Sequence, residues 1–168
     1  MNKRPKLISF LAYISIFIGI FSILGYMFYN KNGNDIGNKN EMISMGIVLL
    51  YSIIYISSGY FILKNQMLGW QLGLFNQLLH VTKCYGVLIY IFINISKINF
   101  GTNDIGDYLI KYATCALIEM GIVYYFLNMK TMNFFKIDRP VRVKTLKLSI
   151  LSSIIIIMIQ IATHTISL

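Results

Sequence analysis

Charged side chains are scarce in this sequence, and acidic ones most of all. Among its 168 residues, 15 are lysine or arginine and 6 are aspartate or glutamate, so that 12% of the chain is charged. A soluble domain carries about 25% charged residues. The chain therefore lacks the polar side chains that a water-soluble surface requires, and we expect most of its surface to contact lipid.

Cysteine and proline are also rare, at two residues each. Cys84 and Cys115 both lie in apolar runs, without Cys-x-x-Cys spacing and without a set of histidines that would complete a zinc site. We expect two buried free thiols, and neither a structural disulfide nor a bound metal.

Motifs that indicate a serine hydrolase, a zinc protease or a phosphate-binding loop are missing from the sequence. Glu119 is the one carboxylate inside a long apolar run, so no acidic pair is available for catalysis within a membrane. Nothing indicates a cofactor. We expect a protein that is not an enzyme, and a lipid-modifying membrane enzyme is the least favoured of three interpretations.

Long apolar runs account for most of the chain, and hydrophobic residues make up 57% of it. A helix needs about 20 apolar residues to cross a bilayer. The sequence predicts an all-α fold, an integral membrane helical bundle that forms a single polytopic domain over residues 1–168. The five predicted transmembrane helices are at about 7–29, 43–63, 70–95, 108–127 and 148–168.

The first apolar run follows Lys3, Arg4 and Lys6, and in this it resembles a secretion signal. An apolar signal core has only about 7–15 residues, and a cleavage site with small side chains follows it. The run at 7–29 is longer than that and has no such site after it. We expect it to be retained as a transmembrane helix.

Lysine and arginine are unevenly divided between the predicted loops. With the N-terminus in the cytoplasm, ten cations fall on the cytoplasmic side and three outside. Because cytoplasmic loops of membrane proteins are enriched in cations, this predicts the N-terminus inside, the C-terminus outside, and a multi-pass protein of the cell membrane, favouring a bacterial inner membrane. The net charge of +9 is explained by this bias, so we do not expect nucleic acid binding. The cytoplasmic cations are Lys3, Arg4, Lys6, Lys64, Lys130, Lys136, Arg139, Arg142, Lys144 and Lys147; the outer ones are Lys31, Lys39 and Lys97.

Six of these cations lie in the predicted loop between the fourth and fifth transmembrane helices. A basic segment beside a membrane is suited to anionic lipid headgroups or to an acidic protein partner. The simpler interpretation, which we favour, is that it serves only to orient the chain. The six are Lys130, Lys136, Arg139, Arg142, Lys144 and Lys147.

The third predicted helix is the most polar of the five. Asn76, His80 and Lys83 recur at spacings of three and four, which places them on one helix face, and Gln77 is next to them. A helix surrounded by lipid does not tolerate such groups. We expect the stripe to face protein or a water-filled space, although a buried histidine is more often a packing residue than a proton relay.

The fourth predicted helix carries Lys111 and Glu119. Lys83 and Glu119 fall near the middle of neighbouring antiparallel helices, so their depths in the membrane should be similar. We expect the two to face inward and to pair. Such a pair is either a structural ion pair or part of a polar pathway for a proton, an ion or a small solute, and the sequence does not decide between them.

Small residues at the start of the third predicted helix indicate close helix packing. Gly69 and Gly73 form a Gly-x-x-x-Gly pattern, which allows two helix backbones to approach each other.

Taken with the polar stripe, these features favour a transport, channel or membrane-complex subunit with a polar site inside the membrane. Five helices make a thin wall around any pathway, so a homo-oligomer or a complex with other membrane proteins is expected if the protein conducts. The alternative is an interaction, immunity or defence protein that docks a soluble partner on the basic loop.

Overall fold

The computed structural model describes residues 5–31, 39–94 and 104–162, which are almost entirely helical and include no strand. This confirms the all-helical prediction. Lys3, Arg4, Lys97 and the last part of the fifth predicted transmembrane helix, 163–168, lie outside the described residues. The helices are α1 (Lys6–Lys31), α2 (Lys39–Leu63), α3 (Met67–Asn94), α4 (Asp104–Leu127), α5 (Met129–Phe134) and α6 (Arg139–Ala162).

Three stretches within the described residues are long and apolar enough to cross a membrane, at Lys6–Phe28, Met45–Leu63 and Gly106–Leu127. They are the apolar parts of α1, α2 and α4, and they mark the chain as a membrane protein. Helix α3 has 28 residues, about 42 Å at 1.5 Å per residue, but polar side chains interrupt its centre. Helix α6 has 24 residues and begins with basic turns.

Helix α3 is the centre of the bundle, because it packs against α2, α4 and α6. Within the described residues, the backbone of α1 comes close to that of α2 and of no other helix. The side chain of Gln71 donates to Thr145 Oγ1 near the start of α3, and Gly86 approaches Ile157 further along both helices. Helix α6 therefore runs parallel to α3, while α2 and α4 run antiparallel to it.

A tight turn joins α2 to α3. Asn65 has a φ of 56°, and its N–H donates to Ile62 O while the N–H of Gln66 donates to Phe61 O. This is a Schellman motif, in which asparagine accepts the left-handed conformation more readily than most residues. The turn brings the start of α3 close to the end of α2. A Cβ at Gly69 would lie 2.5 Å from the carbonyl carbon of Phe61.

The main apolar core lies at the end of the bundle where α1 begins. Here the first turns of α1 and α3 meet the last turns of α2 and α4, and α5 closes the same end. The start of α1 and the basic segment are thus at one end of the bundle. The buried members of this core are Ile8, Ala12, Ile62, Trp70, Leu74, Phe126, Met132, Phe135 and Ile137.

The prediction of a basic loop between 127 and 148 was wrong, because most of this segment is helical. Asn128 caps α5 by accepting a hydrogen bond from the backbone N–H of Lys130. Asp138 caps α6 in the same way, at 3.0 Å from the N–H of Val141, and Pro140 occupies the first turn, where proline is tolerated. These caps start α6 nine residues before the predicted boundary at 148. The other four predicted helices begin only one to four residues early.

Candidate functional site

Buried polar atoms without a protein partner are concentrated on α2, α3 and α4. In the described residues they are Ser58 Oγ, both amide atoms of Asn76, Gln77 Oε1 and Glu119 Oε2. Asn76 is 1% exposed and Ser58 is fully buried. Because nearly all buried polar groups in folded proteins have a partner, such a concentration calls for an explanation.

Two faces of α3 carry these groups. The ring of His80, one turn after Asn76, meets the ring of Tyr55 on α2 edge to face, with 5.8 Å between the centroids. Successive residues of a helix turn by about 100°, so Gln77 lies a quarter turn round from Asn76. It shares its face with Cys84, which is seven residues further on and faces α4 (below). Asn76 thus lies on the side of α3 that faces α2, and Gln77 lies on the side that faces α4.

The two cysteines meet across the interface between α3 and α4. The thiols of Cys84 and Cys115 lie next to each other, and both are free. Glu119 lies one turn beyond Cys115 and is close enough to interact electrostatically with Cys84 and with Tyr55. Sequence reasoning missed the cysteines and Tyr55 as neighbours of this glutamate. The one signal was the four-residue spacing of Cys115 and Glu119, which places them on one face.

These residues form what we call the interhelix polar site. Its members come from α2, α3 and α4, and none of them is at the end of its helix. They are Tyr55, Ser58, Asn76, Gln77, His80, Cys84, Cys115 and Glu119.

Lys83 lies at the edge of this site, close enough to interact electrostatically with His80 and Cys84. Its side chain is exposed, and within the described part of the chain no ion pair joins it to Glu119, whose Oε2 has no partner. On α3 it lies about 60° from His80, which faces α2, and about 60° on the other side from Gly86, which faces α6. Lys83 therefore lies at the gap between α2 and α6, whereas α4 packs on another side of α3.

Lys111 lies apart from the polar site. It is exposed, and its Nζ lies 5.9 Å from the ring centroid of Tyr112. It precedes Glu119 by eight residues, about 12 Å along the helix. Of the site residues predicted from sequence, Asn76, Gln77, His80 and Glu119 are thus brought together, Lys83 lies at the edge of the site, and Lys111 lies apart from it.

Gly69 and Gly73 lie at close helix contacts. Gly69 faces the backbone of α2 at the tight turn, while a Cβ at Gly73 would lie 2.7 Å from Cε1 of Phe126 on α4. Neither position has room for a side chain unless a neighbour moves.

The basic segment forms a second feature at the surface. Six side chains on the first three turns of α6 line an open groove, which we call the basic groove: Arg139, Pro140, Val143, Lys144, Lys147 and Leu148. The guanidinium of Arg142 instead lies against Met132 Sδ at 4.0 Å. Lys130 on α5 and Lys136 after it are exposed outside the groove.

Within the residues that the structure describes, no group of three or more histidine, cysteine, aspartate or glutamate side chains is placed to hold a metal ion. Comparison with protein-family models, with curated proteins and with solved structures gave no match for this chain. The interhelix polar site and the basic groove are therefore the features from which its function has to be inferred.

Proposed function

We propose that this protein is a transport, channel or membrane-complex subunit in which the interhelix polar site holds water, a proton or a small polar solute. The observation that supports this is Asn76, which is 1% exposed while both of its amide atoms lack a protein partner. Burying an amide without hydrogen bonds costs roughly 2–7 kcal/mol. A bundle that keeps this cost three times over, at Asn76, Gln77 and Glu119, is best explained by an occupant that supplies the missing bonds.

The chemistry of the site indicates what that occupant carries. Two of the unpartnered atoms are amide oxygens that accept, from Asn76 and Gln77; Nδ2 of Asn76 donates, and the Glu119 carboxyl can accept or, when protonated, donate. The Ser58 hydroxyl can act either way. An occupant rich in N–H or O–H groups satisfies this set, such as water, a hydrated proton or a small hydroxylated or amino solute.

The proposed topology has five crossings, with the N-terminus and the basic segment in the cytoplasm and the C-terminus outside. The shared core of α1 and α5 supports an even number of crossings between them. The parallel course of α3 and α6 supports a further crossing by α6. Five helices leave a thin wall around the site, so we further propose assembly with a second copy or another membrane protein.

Reporter fusions test the topology. A fluorescent protein that folds only in the cytoplasm should be bright when inserted at Lys136 and dark when fused after Leu168, while alkaline phosphatase should show the reverse. A bright cytoplasmic reporter at Leu168 would contradict five crossings.

Hydroxyl radicals formed from water by X-ray pulses test whether the site is hydrated, since they modify side chains beside bound water. In protein embedded in lipid nanodiscs, mass spectrometry should find Tyr55 and Cys84 modified faster than Tyr124, which is 74% exposed on the outer face of α4. Substituting Asn76→Leu should slow the modification of Tyr55, while Leu88→Met should not. Equal, slow modification of Tyr55 and Tyr124 would mean a dry site, and the proposal would fail.

Flux measurements then ask whether the occupant moves. Proteoliposomes with a trapped pH dye, or under an osmotic gradient of glycerol or urea, should show faster flux than empty liposomes. Glu119→Gln should change that flux, and Tyr124→Phe, on the same helix but outside the site, should leave it unaltered. A hydrated site without flux favours the complex-subunit form of the proposal.

A further inference from the structure

We propose that the basic groove binds the headgroup of an anionic phospholipid, with the acyl chains lying along the apolar face of α6. This rests on the proposed membrane placement of α6. It does not depend on what occupies the interhelix polar site.

Cationic and apolar side chains alternate along the groove. Arg139, Lys144 and Lys147 are exposed and extend over about 12 Å of helix, at 1.5 Å per residue. Val143 and Leu148 lie between and beyond them, and no acidic side chain lines the groove. Cations with long stems beside apolar residues are suited to the boundary between headgroups and hydrocarbon.

The positive charge of the groove is not neutralised within the described part of the protein. No ion pair there engages its three cations. The adjacent acid, Asp138, uses its carboxylate to accept the N–H of Val141 at the start of α6. An anionic group from outside the protein is therefore the natural complement, and neighbouring arginine and lysine residues bind phosphate with charge-assisted hydrogen bonds.

The surface beyond the groove indicates that this anion belongs to a lipid. Four large apolar side chains follow Lys144 along the same face of α6 and are all exposed: Leu148, Leu151, Ile155 and Met158. Their spacings of three, four and three keep them in one row. The row covers about 15 Å of helix, which matches half of the roughly 30 Å hydrocarbon core of a bilayer. With α6 in the membrane, this row lies in the hydrocarbon and places the cations of the groove at the level of the lipid headgroups.

Native mass spectrometry of the purified protein in detergent tests the proposal. Phosphatidylglycerol and phosphatidylcholine with identical acyl chains are added at equal concentration, and the bound fraction of each is measured. The parent should retain phosphatidylglycerol in preference to phosphatidylcholine. Removing the three groove cations together, as Arg139→Gln, Lys144→Gln and Lys147→Gln, should weaken that retention by about two orders of magnitude, at roughly fivefold for each cation near a lipid surface.

The matched control removes three exposed cations outside the groove: Lys64→Gln, Lys130→Gln and Lys136→Gln. This variant should retain phosphatidylglycerol within about threefold of the parent, and both variants should keep the parent's helical circular dichroism. Equal losses in the two variants, or equal retention of both lipids by the parent, would overturn the proposal.

Competition identifies the source of the anion. Inorganic phosphate and glycerophosphoglycerol, which lack acyl chains, should fail to displace the lipid at concentrations where phosphatidylglycerol exchanges freely. Displacement by either one would show that the apolar row is not used. Tight binding of a glutamate-rich peptide by the parent without lipid retention would assign the groove to an acidic protein and overturn the lipid proposal. Because no outcome depends on hydration of the polar site, either proposal can fail alone.

Discussion

The indole Nε1 of Trp70 donates a hydrogen bond of 2.8 Å to the backbone carbonyl of Phe126, deep in the main core. Phe126 is in the last turn of α4, where the carbonyls of a helix have no intrahelical donor. This single bond therefore satisfies an otherwise unpaired buried carbonyl, and it fixes the start of α3 against the end of α4.

We expect Trp70→Phe to lower the free energy of unfolding by about 1–3 kcal/mol, because the buried carbonyl of Phe126 loses its donor. Unfolding in mixed micelles with increasing dodecyl sulfate measures this. Tyr124→Phe, at an exposed position of α4, should change it by less than about 0.5 kcal/mol. Equal stability of the two variants would show that another donor serves Phe126.

Two glycines of α3 make a matched test of the close approach between helices. At Gly69 an added Cβ meets the backbone of α2, which cannot move aside, whereas at Gly86 the nearest atom is 3.9 Å away, on Ile157. Gly86→Ala should leave stability unchanged or raise it by up to about 1 kcal/mol, the helix-propensity gain of alanine. Gly69→Ala should destabilise the protein and lower the yield of monodisperse material. Similar melting temperatures for both variants would contradict the turn geometry.

The positions of Lys83 and Glu119 predict that they act independently. The effects of Lys83→Met and Glu119→Gln on the free energy of unfolding should add in the double variant to within about 0.5 kcal/mol. The ion pair expected from sequence would instead give a strong coupling, because removing one partner would leave an unpaired buried charge. A coupling free energy above about 1 kcal/mol would show that the ion pair forms. It would contradict the placement of Lys83 beside α6.

The contact between Cys84 and Cys115 predicts efficient cross-linking by a short, lipid-soluble bismaleimide, each end of which adds one thiol across its double bond. The unmodified protein should gain the mass of one bridging reagent and lose both free thiols. Cys84→Ala and Cys115→Ala should each gain only a single reagent attached at one end. Two independently modified thiols in the parent would mean that the cysteines are not neighbours. This side of the polar site would then be wrong.

Sequence reasoning predicted positions along each helix better than positions around it. The apolar runs located α1 to α4 to within a few residues, because apolar length is what a membrane requires of a helix. The depths of Lys83 and Glu119 followed from residue counting. Their faces did not, since the pattern of α3 alone cannot say which neighbour packs on which side. The same gap hid the meeting of Cys84 with Cys115.

The basic segment was misjudged for a different reason. Its cations were interpreted as a loop because they end the apolar run, yet Asp138 followed by Arg139 and Pro140 is a recognisable helix start. Helices outside the hydrocarbon are specified by caps and local propensity. A hydropathy pattern does not detect such helices. The basic groove became visible only once α6 was seen to extend through this segment.

The central place of α3 also bears on how the chain enters the membrane during synthesis. Insertion machinery releases a helix into lipid according to its apolarity, and each central charge or amide opposes that release. Helices α1 and α2 can enter the lipid together as an apolar hairpin, but α3 exposes Asn76 and Gln77 until later helices pack against it. A nascent chain that stops before α4 should remain bound to the insertion machinery or to a chaperone. Ribosome pausing after α3 would then expose the protein to degradation, so that its abundance in the cell depends on the speed at which α4 follows.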